Sequence, residues 1–96
     1  MAAYLIAAHK IVDPEQFVAY LRQVAPLITE FGGRYLTRPG SHTILEHSLG
    51  QPDRAVILEF PDMAALNAFY NSPEYQPIFA LRQGATLDLV ISVEGA

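Results

Sequence analysis

Glu59 is the only charged residue inside the hydrophobic run Ala55-Val56-Ile57-Leu58-Glu59-Phe60. A carboxyl group set in such a run is partly buried if its face meets helices or a second sheet. It must then either pair with an arginine, such as Arg38 or Arg82, or hold its proton, and both states suit acid/base chemistry. His9 closes another apolar run, and Asp88 lies near the start of the last one. If the fold brings those two ends together, a His-Asp pair poises an imidazole near neutral pH for proton transfer. Tyr20, Tyr70, Tyr75 and Arg82 would line a pocket between helices and sheet, the phenols acting as donors to an oxygenated ligand. Arg38, His42 and Glu46 complete the set of ligand-binding candidates.

Each of these residues also has a purely structural role open to it. An ion pair at a subunit interface accounts for Glu59, and a hydrogen bond at the rim of the sheet accounts for His9 and Asp88. A cross-strand pair between Glu46 and Arg54 would follow from a hairpin centred on Gly50, a contact worth roughly 0.2–1 kcal/mol. Aromatic residues at helical spacing are the ordinary content of a core.

Several other chemistries have no footing. His42 and His47 are five residues apart, so on one strand they point to opposite faces and do not chelate one ion. His42 and Glu46 share a face, but two ligands fall short of the usual three of a catalytic metal site, so no metal is expected. Haem ligation has no better support. There is no cysteine, hence no thiolate nucleophile. No glycine-rich loop precedes a helix as phosphate binding demands, and no serine stands in a nucleophile elbow. No cofactor is expected. The formal net charge is −4 and the arginines are scattered singly, which argues against a nucleic-acid surface. No stretch has membrane length, and the apolar start lacks a basic segment and runs directly into His9-Lys10, so a cytoplasmic protein is the expectation.

The elements that must position the candidate residues are legible in order. Ala3–Ile11 reads as a central strand, apolar on both faces. Asp13-Pro14-Glu15 marks a helix start by capping, a tolerated first-turn proline and complementarity to the helix dipole. Phe17, Leu21, Val24, Ile28 and Phe31 then recur at intervals of four and three on one helix face. Pro26 predicts a kink, and Gly32-Gly33 ends the helix. Residues 34–37 and 42–47 read as one edge strand broken at Pro39-Gly40, returning through a turn at residues 49–53 into a second central strand over residues 55–60. Asp62 caps a helix carrying Leu66, Phe69 and Tyr70. Ser72-Pro73-Glu74 restarts it, and Tyr75, Phe79 and Arg82 share its face until Gly84. Thr86–Glu94 is the last strand.

The resulting order, β-α-β-β-α-β, is that of an α+β ferredoxin-like fold. It predicts one domain over residues 1–96, with a four-stranded antiparallel sheet in the order 4-1-3-2 and both helices on one face. The other face is left bare. With 51% hydrophobic residues in so short a chain, a second copy of the same sheet is its simplest cover, and a homodimer is expected.

The combination Gly32-Gly33-Arg34-Tyr35-Leu36, Arg38, Glu46, then Arg54 through Pro61 and Tyr70-Asn71-Ser72-Pro73-Glu74-Tyr75-Gln76 resembles the domain-of-unknown-function family numbered thirteen-thirty, over nearly the whole chain. That resemblance implies membership of the dimeric α/β-barrel superfamily, in which ferredoxin-like monomers pair sheet to sheet, and it implies no reaction. The superfamily spans cofactor-free monooxygenases, muconolactone isomerases, haem enzymes and ligand-binding modules, so the fold does not choose among them. The chain departs from the family pattern at Arg38-Pro39-Gly40 and Glu46-His47, where relatives usually place glycine directly after the arginine and the glutamate. Two functions follow as expectations. One is a cofactor-independent enzyme acting on a small organic ligand, with Glu59 or His9 as acid/base. The other is a non-catalytic ligand-binding or interaction module. An enzyme requires Glu59 or His9 to open into a cavity beside tyrosine or arginine donors, whereas a module leaves them fully paired.

Overall fold

The structure, a computed structural model, describes all residues from Met1 to Ala96. The elements run β1 (Ala3–Ile11), α1 (Pro14–Glu30), β2 (Arg34–Tyr35), β3 (Arg54–Phe60), α2 (Met63–Tyr70), α3 (Tyr75–Ala85) and β4 (Thr86–Glu94). They form one antiparallel sheet in the order β2-β3-β1-β4, the order expected.

Strand alternation divides the residues of the sheet cleanly. Ala3, Leu5, Ala7 and His9 of β1, with Val56, Leu58 and Phe60 of β3, are buried under the helices. α1 lays Phe17, Tyr20, Val24, Leu27 and Ile28 onto them. The opposite parity forms the other face. Ile57, Ile6 and Ile91 stand side by side across β3, β1 and β4, and along β4 Leu87, Leu89, Ile91 and Val93 are between 41% and 69% exposed. The bare apolar face read from the sequence is therefore present.

The caps behave as their residue types dictate. Asp13 Oδ1 accepts from Gln16 N at 3.2 Å and Asp62 Oδ1 from Ala65 N at 2.8 Å, satisfying amides that have no partner within their own helix. Ser72 Oγ donates to Phe69 O at 2.9 Å and accepts from Tyr75 N at 3.2 Å, so it joins the end of α2 to the start of α3. The restart makes two separate helices, giving three helices in all where two were expected. α3 also continues past Gly84 to Ala85. Gly33 is required for space, because a Cβ there would sit 2.7 Å from the Phe60 ring and 2.9 Å from Ile28.

One expectation is corrected, the edge strand, while α1 is helical on both sides of Pro26. The proline lies on the exposed side, where the Arg22 carbonyl that loses its donor is left to water. The long broken edge strand is not formed: β2 is two residues long, and residues 36–53 are irregular. Pairing fades rather than stops. Leu36 N donates to Ile57 O at 2.8 Å, and the Thr37 hydroxyl then takes Ile57 N at 3.0 Å in place of a backbone carbonyl. Pro39 has no N–H to extend the ladder, and Gly40 turns the chain at φ 84°. Glu46 consequently lies in an exposed loop, and the ion pair expected between it and Arg54 does not form.

Candidate functional site

The sheet brings three distant stretches to one end. In register, His9 stands opposite Arg54 of β3 on one side and Asp88 of β4 on the other. All three side chains have the parity that faces the helices, and α3 delivers Arg82 to the same place. His9 and Arg82 are each only 3% exposed.

Asp88 joins them. Its Oδ1 lies 2.5 Å from His9 Nδ1, and its Oδ2 accepts from Arg82 Nη1 at 2.6 Å. Because that carboxylate also neutralises a guanidinium, Nδ1 is the ring nitrogen that carries the proton and donates. Nε2 keeps its lone pair and makes no hydrogen bond within the chain. Burial pushes the His9 pKa down, with the Asp88 hydrogen bond opposing, so the imidazole is neutral near pH 7.

Phenols extend the network. Arg82 Nη2 reaches the Tyr70 hydroxyl at 3.5 Å, and the guanidinium lies 4.9 Å from the Phe79 ring centre and 5.7 Å from that of Tyr20. Tyr20 and Tyr75 share a hydrogen bond of 3.0 Å between their hydroxyls. Burial raises the pKa of both, so both are protonated. Two phenol protons and one shared bond leave the pair a spare donor. These groups line a cavity of about 30 Å³ between sheet and helices, floored by Leu5, Ala7, Val56 and Leu58. It is apolar except where His9, Arg54, Arg82 and the tyrosines enter it. Such a wall can do two things: accept a proton at His9 Nε2, and donate hydrogen bonds to an oxygen that gains charge.

The family can now be decided, since the sequence model described as "Domain of unknown function (DUF1330)" matches residues 2–96. The chain belongs to the DUF1330 family. No curated protein matches it. Among solved structures, this DUF1330 chain is similar to the RPA0582 protein of unknown function from Rhodopseudomonas palustris, with a TM-score of 0.78 at 19% identity, covering 99% of this chain and 82% of that one. It is also similar to a dimeric ferredoxin-like protein of unknown function from Jannaschia sp. CCS1, at TM-score 0.76 and 17% identity, covering 99% and 100% of the two chains. A third likeness is to SnoaB, a cofactor-independent oxygenase from Streptomyces nogalater, at TM-score 0.64 and 11% identity, covering 99% and 93%. At these identities the likeness is one of fold.

The other candidate residues of the DUF1330 chain are placed apart from the cavity. Glu59 has the parity of the bare face, and its Oε1 accepts from Arg34 Nη2 at 2.8 Å and Nε at 2.9 Å. Its partner is thus neither Arg38 nor Arg82. Arg38 and Glu46 are exposed in the irregular segment. His42 Nε2 meets Pro52 O at 3.0 Å, while its Nδ1 is buried without a partner. No three His, Cys, Asp or Glu side chains converge. His9, Tyr20, Tyr70, Tyr75 and Arg82 are brought together, and Arg54, expected at the same sheet end but not among the ligand-binding candidates, joins them. Its signal was the cross-strand register with His9.

The histidine leaves a thermodynamic signature. An unfolded histidine titrates near about 6.5, and His9 takes up a proton less readily when folded. The unfolded chain therefore binds more protons in this range, so stability is complete above that pH and declines as pH falls through it. The urea midpoint of the wild type is expected to drop between about pH 7.5 and about pH 5.5. His9→Gln, which retains an amide donor toward Asp88, is expected to remove that slope. An equal slope in both proteins would locate the titration elsewhere.

Proposed function

We propose that the chain is a homodimeric, cofactor-independent enzyme that acts on a small organic ligand by acid/base chemistry, with His9 as the base. The observation that carries this reading is a buried, neutral imidazole, fixed by Asp88 through Nδ1 with Nε2 unbonded, that lines a cavity beside phenol donors. Asp88 holds the tautomer and steadies the imidazolium that forms. Arg82, Tyr70, Tyr75 and Tyr20 orient the ligand. Glu59, paired with Arg34 on the bare face, serves the subunit interface in this reading rather than catalysis. The homodimer rests on that apolar face, and proteins of the same fold from Jannaschia sp. CCS1 and Thermobifida fusca are dimeric.

A second reading is a non-catalytic ligand-binding or interaction module. The size of the cavity favours it, since about 30 Å³ holds water rather than an organic molecule. The enzyme must open the cleft, and Tyr35, which lines it and is 39% exposed, is the side chain placed to swing outward.

The test is native mass spectrometry of gently purified protein, followed by incubation with a small-metabolite extract and comparison of the extract before and after. The expected result is a dimer that consumes at least one compound, and a His9→Gln dimer that consumes it about 100-fold or more slowly, the usual contribution of a general base. Dimers of both proteins that leave the extract unchanged would favour the module. A stable wild-type monomer would remove the second sheet.

A further inference from the structure

One cation beside the cavity has no counter-charge. Arg54 is half-buried and lines the cavity, with its guanidinium 5.4 Å from the centre of the Phe17 ring. That ring lies 5.3 Å from the ring of His9. The ion pairs of the chain are Lys10 with Asp53, Arg34 with Glu59 and Arg82 with Asp88, and the neutral His9 hydrogen-bonds to the same Asp88. Arg54 takes part in none of them. Its guanidinium also makes no hydrogen bond, so all five N–H donors are unused. The acidic group that should have met it, Glu46, sits in the exposed loop.

The contrast with Arg82 is informative. That guanidinium has its charge met by Asp88 and donates to Tyr70, with two aromatic faces beside it, so it orients a ligand through its remaining N–H groups but offers no unbalanced charge to an anion. Arg54 stands on the opposite flank of His9 from Asp88, with its charge and its planar fork both free. The cation–π contact with Phe17 holds the guanidinium beside His9 without neutralising it, and its planar fork suits two-point carboxylate recognition.

We infer that Arg54 anchors a carboxylate, which makes the ligand a small organic acid carrying a second acidic group, an O–H or a C–H beside a carbonyl. This rests on the acid/base reading of the same cavity. The carboxylate sits on Arg54, and the second group reaches His9. Its proton passes to Nε2, giving an imidazolium that faces Asp88, and the electron pair stays on the ligand oxygen, where a phenol hydrogen bond meets it. No oxidant or further reactant is required.

The experiment uses a panel of matched probes: small hydroxy- and oxo-carboxylic acids and the primary amide of each. Binding is read from the ring resonances of His9 by NMR, in the wild type, Arg54→Gln and Arg54→Lys. The expected result is that acids bind the wild type about tenfold or more tightly than their amides. Arg54→Gln should bring each pair within about twofold, and Arg54→Lys, which keeps the charge and loses the fork, should fall between. Amides binding the wild type as well as acids, or a preference that survives Arg54→Gln, overturns the anchor and leaves the site intact. If no probe of either kind moves the His9 resonances, the acid/base site fails and the anchor with it. Should Arg54→Gln not fold, Arg54→Lys decides: a reduced acid preference supports the anchor and an undiminished one overturns it.

Discussion

Asp88→Asn is expected to destabilise the protein by about 3 kcal/mol, because removing one member of a buried ion pair strands the other charge. Arg82 is the stranded member. Its side chain is 4% exposed and that of Asp88 16%, so water reaches the carboxylate side only in part and the guanidinium hardly at all. An asparagine keeps one acceptor and loses the negative charge, and it presents an N–H₂ to either Arg82 or His9, both of which are donors toward Asp88 in the wild type. A donor then faces a donor unless His9 moves its proton to Nε2, which would remove the free lone pair there. The informative comparison is the double variant Arg82→Met with Asp88→Leu, which removes the buried charges together. It is expected to be less destabilised than Asp88→Asn alone, since the desolvation cost of the guanidinium disappears with it. Urea denaturation at one pH and one protein concentration measures both. An Asp88→Asn protein within about 1 kcal/mol of wild type would mean that water reaches Arg82 and that the network contributes little to stability.

The same network shows why some of the site was legible and some was not. His9 and Asp88 were placed together by topology alone, since β-α-β-β-α-β sets the end of β1 beside the start of β4. Arg82 followed from helical spacing with Tyr75 and Phe79. That Asp88 would serve His9 and Arg82 at once was not readable, because it depends on how closely α3 approaches the sheet. Glu59 illustrates a different limit. Its neighbour Phe60 is fully buried beneath the helices, so alternation alone puts Glu59 on the bare face. Its choice of Arg34 rests on the two-residue β2, whose register sets Arg34 opposite Glu59. The sequence pattern of residues 42–47 was compatible with a strand, but pairing requires a continuous ladder, and Pro39 with Gly40 ends the ladder first. Local propensity was overruled there by a missing donor, and the candidate roles of Arg38 and Glu46 were tied to the strand that did not form.

Ile91→Arg is expected to convert the proposed dimer to a monomer. Ile91 stands at the outer end of the row Ile57, Ile6, Ile91 and is 43% exposed in the single chain. The change therefore costs the isolated subunit little, and in the dimer it sets a cation into an apolar seam with no acidic partner on β4 nearer than Asp88 and Glu94, both on the other face. Burying an unpaired charge costs several kcal/mol, which corresponds to a loss of dimer affinity of about 100-fold or more. Native mass spectrometry should give a dimer for the wild type and a monomer for the variant, with circular dichroism unchanged. The site adds a second readout. His9, Asp88 and Arg82 lie on the helix side of the sheet, so in the monomer the His9 ring resonances should keep their positions while the backbone amides of β4 shift. A variant that remains dimeric would place the interface elsewhere. A monomer that also loses the His9 signature would mean that the partner sheet, and not the helices alone, holds β4 and its aspartate in register.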